Sequence, residues 1–236
     1  DEQIELVVDD IFDLNSSPCD QKVKFVIQEV SSLGQTWTSF ELAANGGWSG
    51  VAYGNGVFVT VRNSNLGDQV MISNDGEIWE TRPGPTVAGV HAWTDVTFGN
   101  GLFVAVCAAS VSGDHVMTST DGETWVVRNT DDRDLYGVTY GEGLFVAIAQ
   151  NGTGDRVITS PDGITWTLRS SAADLLWTDI TYGEGLFVAV AYSGTGNRVM
   201  TSPDGIIWTS QTSAADNSWT SVSYGNGWFV AVSADG

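Results

Sequence analysis

The stretch "WTDITYGEGLFVAVAYSGTGNRVMTSPDGIIWTSQT", residues 177–212, decides the fold. "WTDITY" alternates polar with β-branched or aromatic residues, the pattern of a strand with two unlike faces. "GEG" supplies positive-φ residues for a tight hairpin turn. "LFVAVA" is a continuous apolar run, as expected of a strand covered on both faces. After the looser "YSGTGN", "RVMTS" reads as a third strand, "PDG" as a second tight turn and "IIWTSQT" as a fourth strand.

The unit recurs. Aromatic-Gly pairs stand at Tyr53-Gly54, Phe98-Gly99, Tyr140-Gly141, Tyr182-Gly183 and Tyr224-Gly225, at steps of 45, 42, 42 and 42 residues. A second marker, the Trp after the turn, stands at Trp37, Trp79, Trp125, Trp166 and Trp208. Four short strands in a period of 40–45 residues are the signature of a β-propeller blade. No segment shows a sustained helical period, so the chain is expected to be all-β.

The ends set the number of blades. The last unit starts at Trp219 and stops after its second strand, at about residue 233. Near the other end, "GQTWTSFELAANGGWSGVAYGNG" (34–56) matches "GIIWTSQTSAADNSWTSVSYGNG" (205–227), and "VKFVIQEVSS" (23–32) can serve as a third strand. Strands within about 23–41 therefore complete the blade begun at 219–233. The expectation is a five-bladed propeller of four-stranded blades over 21–236, closed by two strands from each end. Closure removes exposed sheet edges. Residues 1–20 lie outside the repeat, with seven acids and no base. They read as an acidic arm or linker, or as a strand donated to a neighbouring molecule.

The formal charge of −20, from 29 acids and 9 bases, disfavours nucleic acid and anionic membranes, because phosphate binding depends on Lys and Arg. No apolar run approaches the roughly 18 residues of a membrane-spanning helix. The chain starts at Asp1 with no signal-like run, as expected of a processed chain or a segment of something longer. Cys19 and Cys107 form neither a disulfide framework nor a zinc site. Cys107 reads as a small buried hydrophobe, with a Cys19–Cys107 bridge as the alternative.

The turn before the marker Trp reads "SNDGEIW" (73–79), "STDGETW" (119–125), "SPDGITW" (160–166) and "SPDGIIW" (202–208). It resembles the Asp box of bacterial neuraminidase-repeat proteins, the sialidase-like propellers, whose pattern is Ser/Thr-x-Asp-x-Gly-x-x-Trp. Here Asp and Gly are adjacent, so the motif is one residue shorter. The resemblance implies that the box joins the third and fourth strands and is structural, on the face opposite an active site. The chemistry agrees. Asp-Gly favours a tight turn, and the Asp carboxylate and Ser hydroxyl can accept turn N–H groups. Asp75, Asp121, Asp162 and Asp204 are accordingly assigned as turn caps. One carboxylate per turn falls short of the six to eight oxygens of a calcium site. In "SSLGQTW" (31–37), taken as the fifth copy, Leu33 stands where the Asp would be.

The resemblance raises sialidase activity, which needs three converging arginines and a Tyr–Glu pair with an Asp acid. Arg156 and Arg198 fall at equivalent repeat positions, with His115 and Gln69 in the other blades, so they spread round the ring instead of converging. No hydrolase, metal or nucleotide motif appears, and neither catalytic residue nor cofactor is assigned. Any binding face should lie opposite the Asp boxes, on the loops joining strand two to three and strand four to the next blade. Candidates there are Asp131, Asp132, Arg133, Asp134, Tyr136, Asp174 and Asp216. A second candidate is the first-strand column Gly50, Asp95, Gly137, Asp179 and Ser221, where Asp95 and Asp179 could hold water or a cation in a channel.

The leading expectation is a non-enzymatic structural or interaction module on a cell surface, outside the cell or on a virion, by resemblance to repeats in bacterial surface and phage structural proteins. Its partner would be a protein, itself included, or a glycan. The alternatives are a lectin-like propeller and a self-assembling subunit using the N-terminal arm.

Overall fold

The computed structural model describes residues 26–27, 38–40, 43–44, 46–63, 68–85, 92–108 and 113–235. Within them the chain is all-β. Blade 1 holds β3 (Trp48–Gly54), β4 (Val57–Arg62), β5 (Val70–Ser73) and β6 (Glu80–Arg82). Blade 2 holds β7 (Trp93–Gly99), β8 (Leu102–Cys107), β9 (Val116–Ser119) and β10 (Val126–Arg128). Blade 3 holds β11 (Leu135–Gly141), β12 (Leu144–Ala149), β13 (Val157–Ser160) and β14 (Thr167–Arg169). Blade 4 holds β15 (Trp177–Gly183), β16 (Leu186–Ala191), β17 (Val199–Ser202) and β18 (Thr209–Gln211). Blade 5 begins with β19 (Trp219–Gly225) and β20 (Trp228–Ser233).

Each complete blade is an antiparallel meander, and β19 pairs with β20 as the first half of one more. Adjacent blades meet through their first strands. The architecture matches a five-bladed β-propeller. At the N-terminal end, β1 (Val26–Ile27) pairs antiparallel with β2 (Thr38–Ser39). The pairs Val26↔Ser39 and Ile27↔Thr38 repeat the register of Met200↔Ser210 and Thr201↔Thr209 in blade 4. This pair thus has the form of a third and fourth strand, available to complete the ring. Among the described residues no ladder joins it to β20.

Ten residues separate Ile27 from Thr38, against seven between Thr201 and Thr209. One expectation needs correction: the fourth strands are shorter than "IIWTSQT" suggested, with β18 only Thr209–Gln211. Hydrogen bonds to Asp204 hold Ile206 and Ile207 in the turn instead. The acidic arm (1–20), Cys19 and the turn residue Leu33 lie outside the described residues.

Local chemistry explains the remaining pattern. The first hairpin turn places Glu184 at φ 46° and Gly185 at φ 76°, and the other blades repeat this with Asn or Glu before Gly. Two consecutive positive-φ residues match the twist of the flanking strands. The second strands carry the core. In β8, β12 and β16 every residue after the first is buried, with Phe103, Phe145 and Phe187 fully so. Trp125 shares a cluster with Val57, Val59 and Val61 of the preceding blade, so the marker Trp packs between blades.

The glycine of each aromatic-Gly pair has a steric reason. A Cβ on Gly54, Gly99, Gly141 or Gly183 would lie 2.1–2.2 Å from the ring of Phe98, Tyr140, Tyr182 or Tyr224 in the next blade. The ring of each blade sits on the bare backbone of the one before it. Gly141→Ala is expected to destabilise the protein by about 1–3 kcal/mol, the usual cost of overpacking, measurable as a lower urea midpoint with unchanged slope.

Candidate functional site

The Ser-x-Asp-Gly-x-x-Trp turns are closed hydrogen-bond circuits. Asp121 Oδ1 accepts the N–H of Glu123 at 2.8 Å and of Thr124 at 2.9 Å. Ser119 Oγ donates to the same oxygen at 2.9 Å and accepts the N–H of Gly122 at 2.8 Å. Trp125 Nε1 donates to the Gly122 carbonyl. The carboxylate bonds recur at Asp75, Asp162 and Asp204. The turn N–H groups hold the carboxyls of Asp75, Asp121, Asp162 and Asp204 below the usual carboxylate range. In this arrangement Oδ1 is spent on the turn's own backbone. Ser119→Ala leaves the buried Gly122 N–H without its acceptor, at an expected cost of about 1–3 kcal/mol, read by chemical denaturation.

On the opposite face the loops are latched to one another. Arg156 donates to the carbonyls of Gln150, Gly152 and Leu175, joining two loops, and lies near Asp174. Arg198 repeats this with Gly194, Tyr192 and Asp216. Asp174 and Asp216 also accept the N–H of Gly154 and Gly196. In blade 2 His115 takes the arginine's place, with Nδ1 3.2 Å from the Cys107 carbonyl and Nε2 3.0 Å from Asp132. Arg133 pairs with Asp155. Asp132, Arg133, Asp174 and Asp216 are thus engaged in loop-to-loop bonds, while Asp131 is exposed. Asp134 lies beside them, its carboxyl pushed up by burial. Burial and then Asp134 push the Tyr136 phenol up as well.

The other arginines are also held locally. Arg82 pairs with Glu80 and Glu123, and Arg128 and Arg169 donate to Thr118 and Thr159 across their own hairpins. Arg62 lies over the ring of Trp48.

Each first strand carries a bulge near its start, between Trp93 and Asp95 and between Trp177 and Asp179 for example. The bulged residue is re-aimed at the next blade. Ser49, Thr94 and Thr178 donate to the carbonyls of Trp93, Leu135 and Trp219. Tyr136 replaces the small hydroxyl residue in blade 3. The residues just after the bulge are the proposed channel column, and the structure gives its two acids partners. Asp95 accepts the N–H of Val96 at 2.8 Å and of Val138, in the next blade, at 2.9 Å. Asp179 accepts from Ile180, from Val222 at 2.8 Å and from the Ser221 hydroxyl at 2.6 Å. These carboxylates fasten one blade to the next. Among the described residues no three of His, Cys, Asp and Glu gather as a metal set.

Burial, and then the charge of Asp179, pushes the Asp95 carboxyl up to about 8. Burial raises that of Asp179 as well. Between about pH 4 and pH 8 the folded chain therefore holds a proton that the unfolded chain releases, so this site's contribution to stability falls as pH rises through that window. The carboxyls of Asp75, Asp121, Asp162 and Asp204 act with the opposite sign, and only below about pH 4. The melting temperature is expected to fall from pH 5 to pH 8, and Asp95→Asn to flatten that slope in parallel thermal melts. An unchanged slope would place the titration elsewhere.

No family model matches the chain, and no curated protein matches its sequence. Solved structures do match its fold. YCF48 bound to a D1 peptide has a TM-score of 0.57 at 14% identity, over 84% of this chain and 66% of that one. A streptogramin B lyase reaches 0.66 at 13%, over 82% and 65%. A nidogen/laminin complex reaches 0.60 at 14%, over 85% and 78%. The likeness is one of fold. The chain spans just under two thirds of the YCF48 and lyase chains. The fold is shared by enzymes and by proteins solved with bound partners, so it does not choose between those roles.

Proposed function

We propose that this chain is a non-enzymatic interaction module, working outside the cell or on a virion, that holds a protein segment on its loop face. The observation that carries this reading is an exposed apolar pair on otherwise polar, latched loops. Leu176 and Tyr192 are 38% and 49% exposed, and the Tyr192 N–H donates to the Leu176 carbonyl. Ser193 Oγ accepts the Leu176 N–H, so the two loops are fixed side by side. Asp174 lies two residues away; it, Asp132 and Asp216 each face a loop cation yet stay solvent-exposed, and the exposed Asp131 adds negative charge on the same face. A rigid aromatic anchor with an acidic rim suits a basic segment carrying one apolar side chain. The peptide bound to YCF48 is a parallel in a protein of like fold. The local engagement of the arginines supports the non-enzymatic part of the reading.

A panel of Lys/Arg-rich peptides bearing a single Leu, Phe or Trp tests this, with affinity read at low and high salt. Binding is expected to weaken with salt and to drop roughly tenfold or more in Tyr192→Ala and in Leu176→Asp. Selective binding on a glycan array, with no binding to the peptides, would overturn the proposal in favour of the lectin reading. So would peptide binding that both variants leave intact.

A further inference from the structure

The bonds that close the loop face repeat from blade to blade, and in one blade they depend on a proton. Asp132, Asp174 and Asp216 stand 42 residues apart, each in the loop that leads to the next blade. Each faces a cation placed just before a third strand: His115 in blade 2, Arg156 in blade 3 and Arg198 in blade 4. A guanidinium in a protein keeps its charge. An imidazole does not, and histidine is the side chain whose charge ordinarily changes between pH 5 and 8.

The surroundings of His115 call for the charged ring. Nδ1 lies 3.2 Å from the Cys107 carbonyl, and Nε2 lies 3.0 Å from Asp132 Oδ1. A carbonyl and a carboxylate only accept, and a neutral imidazole has a single N–H. Both contacts are satisfied together only when both nitrogens carry protons. The two bonds then fail unequally. The His115 side chain is 1% exposed and Cys107 is fully buried, whereas the Asp132 side chain is 78% exposed. Asp132 can turn to water and the Cys107 carbonyl cannot, so the last proton belongs on Nδ1. The Nε2 lone pair then faces a carboxylate.

The other ionisable groups around the ring leave this pairing in place. Asp134 lies nearby, its carboxyl pushed up by burial against the pull of the His115 charge. Tyr136 on β11 lies beside Asp134. Asp114 adjoins His115 in the chain, and its carbonyl accepts the Cys107 thiol. Arg133, the cation of the same loop, is committed to Asp155. Two further bonds anchor the loop on either side of Asp132. The Thr130 N–H donates to the Gly113 carbonyl, and the Asp134 N–H to Asn151 Oδ1.

We propose that His115 is a proton-operated latch on the loop between β10 and β11. Charged, it ties the loop to blade 2 through Asp132. Neutral, it releases Asp132, which is then presented beside the exposed Asp131. The arginine latches of blades 3 and 4 stay closed. As pH rises through the histidine range, the loop face gains one unit of negative charge and loosens at one blade only.

Residue-resolved amide exchange on the whole protein at pH 5.5 and pH 7.5, corrected for the intrinsic pH dependence of exchange, tests this. The Thr130 and Asp134 amides are expected to lose protection roughly tenfold at the higher pH, the loss of one charge-assisted hydrogen bond. Ser171 and Leu176 make the equivalent bonds in the next loop, beside Arg156, and are expected to hold theirs. Nitrogen-15 spectra of the His115 ring should show two N–H groups at pH 5.5 and one, on Nδ1, after titration. His115→Arg, which copies blades 3 and 4, should abolish the pH dependence, and Asp134→Asn should keep it. Equal protection at both pH values in the parent would overturn the proposal. So would the same loss in His115→Arg, its disappearance in Asp134→Asn, or an equal loss at Ser171 and Leu176. Should His115→Arg fail to fold, the ring spectra decide: a single N–H on Nε2, or one N–H at both pH values, would also overturn it.

Discussion

The contact on which this protein depends is an aromatic ring lying on a bare glycine. Each blade presents Phe98, Tyr140, Tyr182 or Tyr224, and the blade before it presents a glycine with no room for a Cβ. The contact sets how closely neighbouring first strands approach. That spacing lets the bulged Ser or Thr reach the next blade's carbonyl, and lets Asp95 and Asp179 reach the next blade's N–H groups. Wider spacing would lose all three interactions together. The chain repeats the aromatic-Gly pair in all five units, whereas the turn Asp stands in four.

The acids divide into two populations with opposite electrostatics. Those in the outer turns are exposed, ringed by N–H groups and held ionised. Those on the first strands are half-buried between neighbouring blades and pushed toward the protonated form. Both accept backbone N–H bonds, so burial makes the difference. With a net charge of −20, placing two acids at adjacent positions of the ring would be costly. The column instead alternates Gly50, Asp95, Gly137 and Asp179, and a Cβ at Gly50 would meet Asp95 at 2.8 Å. The glycines make room for the acids beside them.

Much of the fold was legible because a repeat states its constraints several times. Aromatic-Gly spacing, turn pairs and apolar second strands all marked the blades. The candidate loop residues were less legible. Asp132, Asp174 and Asp216 read as candidates on a ligand face, yet they close loops onto His115, Arg156 and Arg198, partners many residues away. The exposed Leu176–Tyr192 pair gave no signal, since a lone Leu and a lone Tyr in loops are ordinary. Asp95 and Asp179 read as channel acids because their partners are backbone N–H groups of the next blade, which have no sequence signature.

The sequence by itself determined the strands, the turns and the number of units, because these depend on side-chain alternation and on backbone angles that only certain residues adopt. It also located the Ser-x-Asp-Gly-x-x-Trp turns, whose hydrogen bonds close within seven residues. Tertiary structure alone decided which side chains are spent and which remain presented. Those outcomes depend on blade-to-blade approach, through contacts some 40 residues apart that local pattern does not encode.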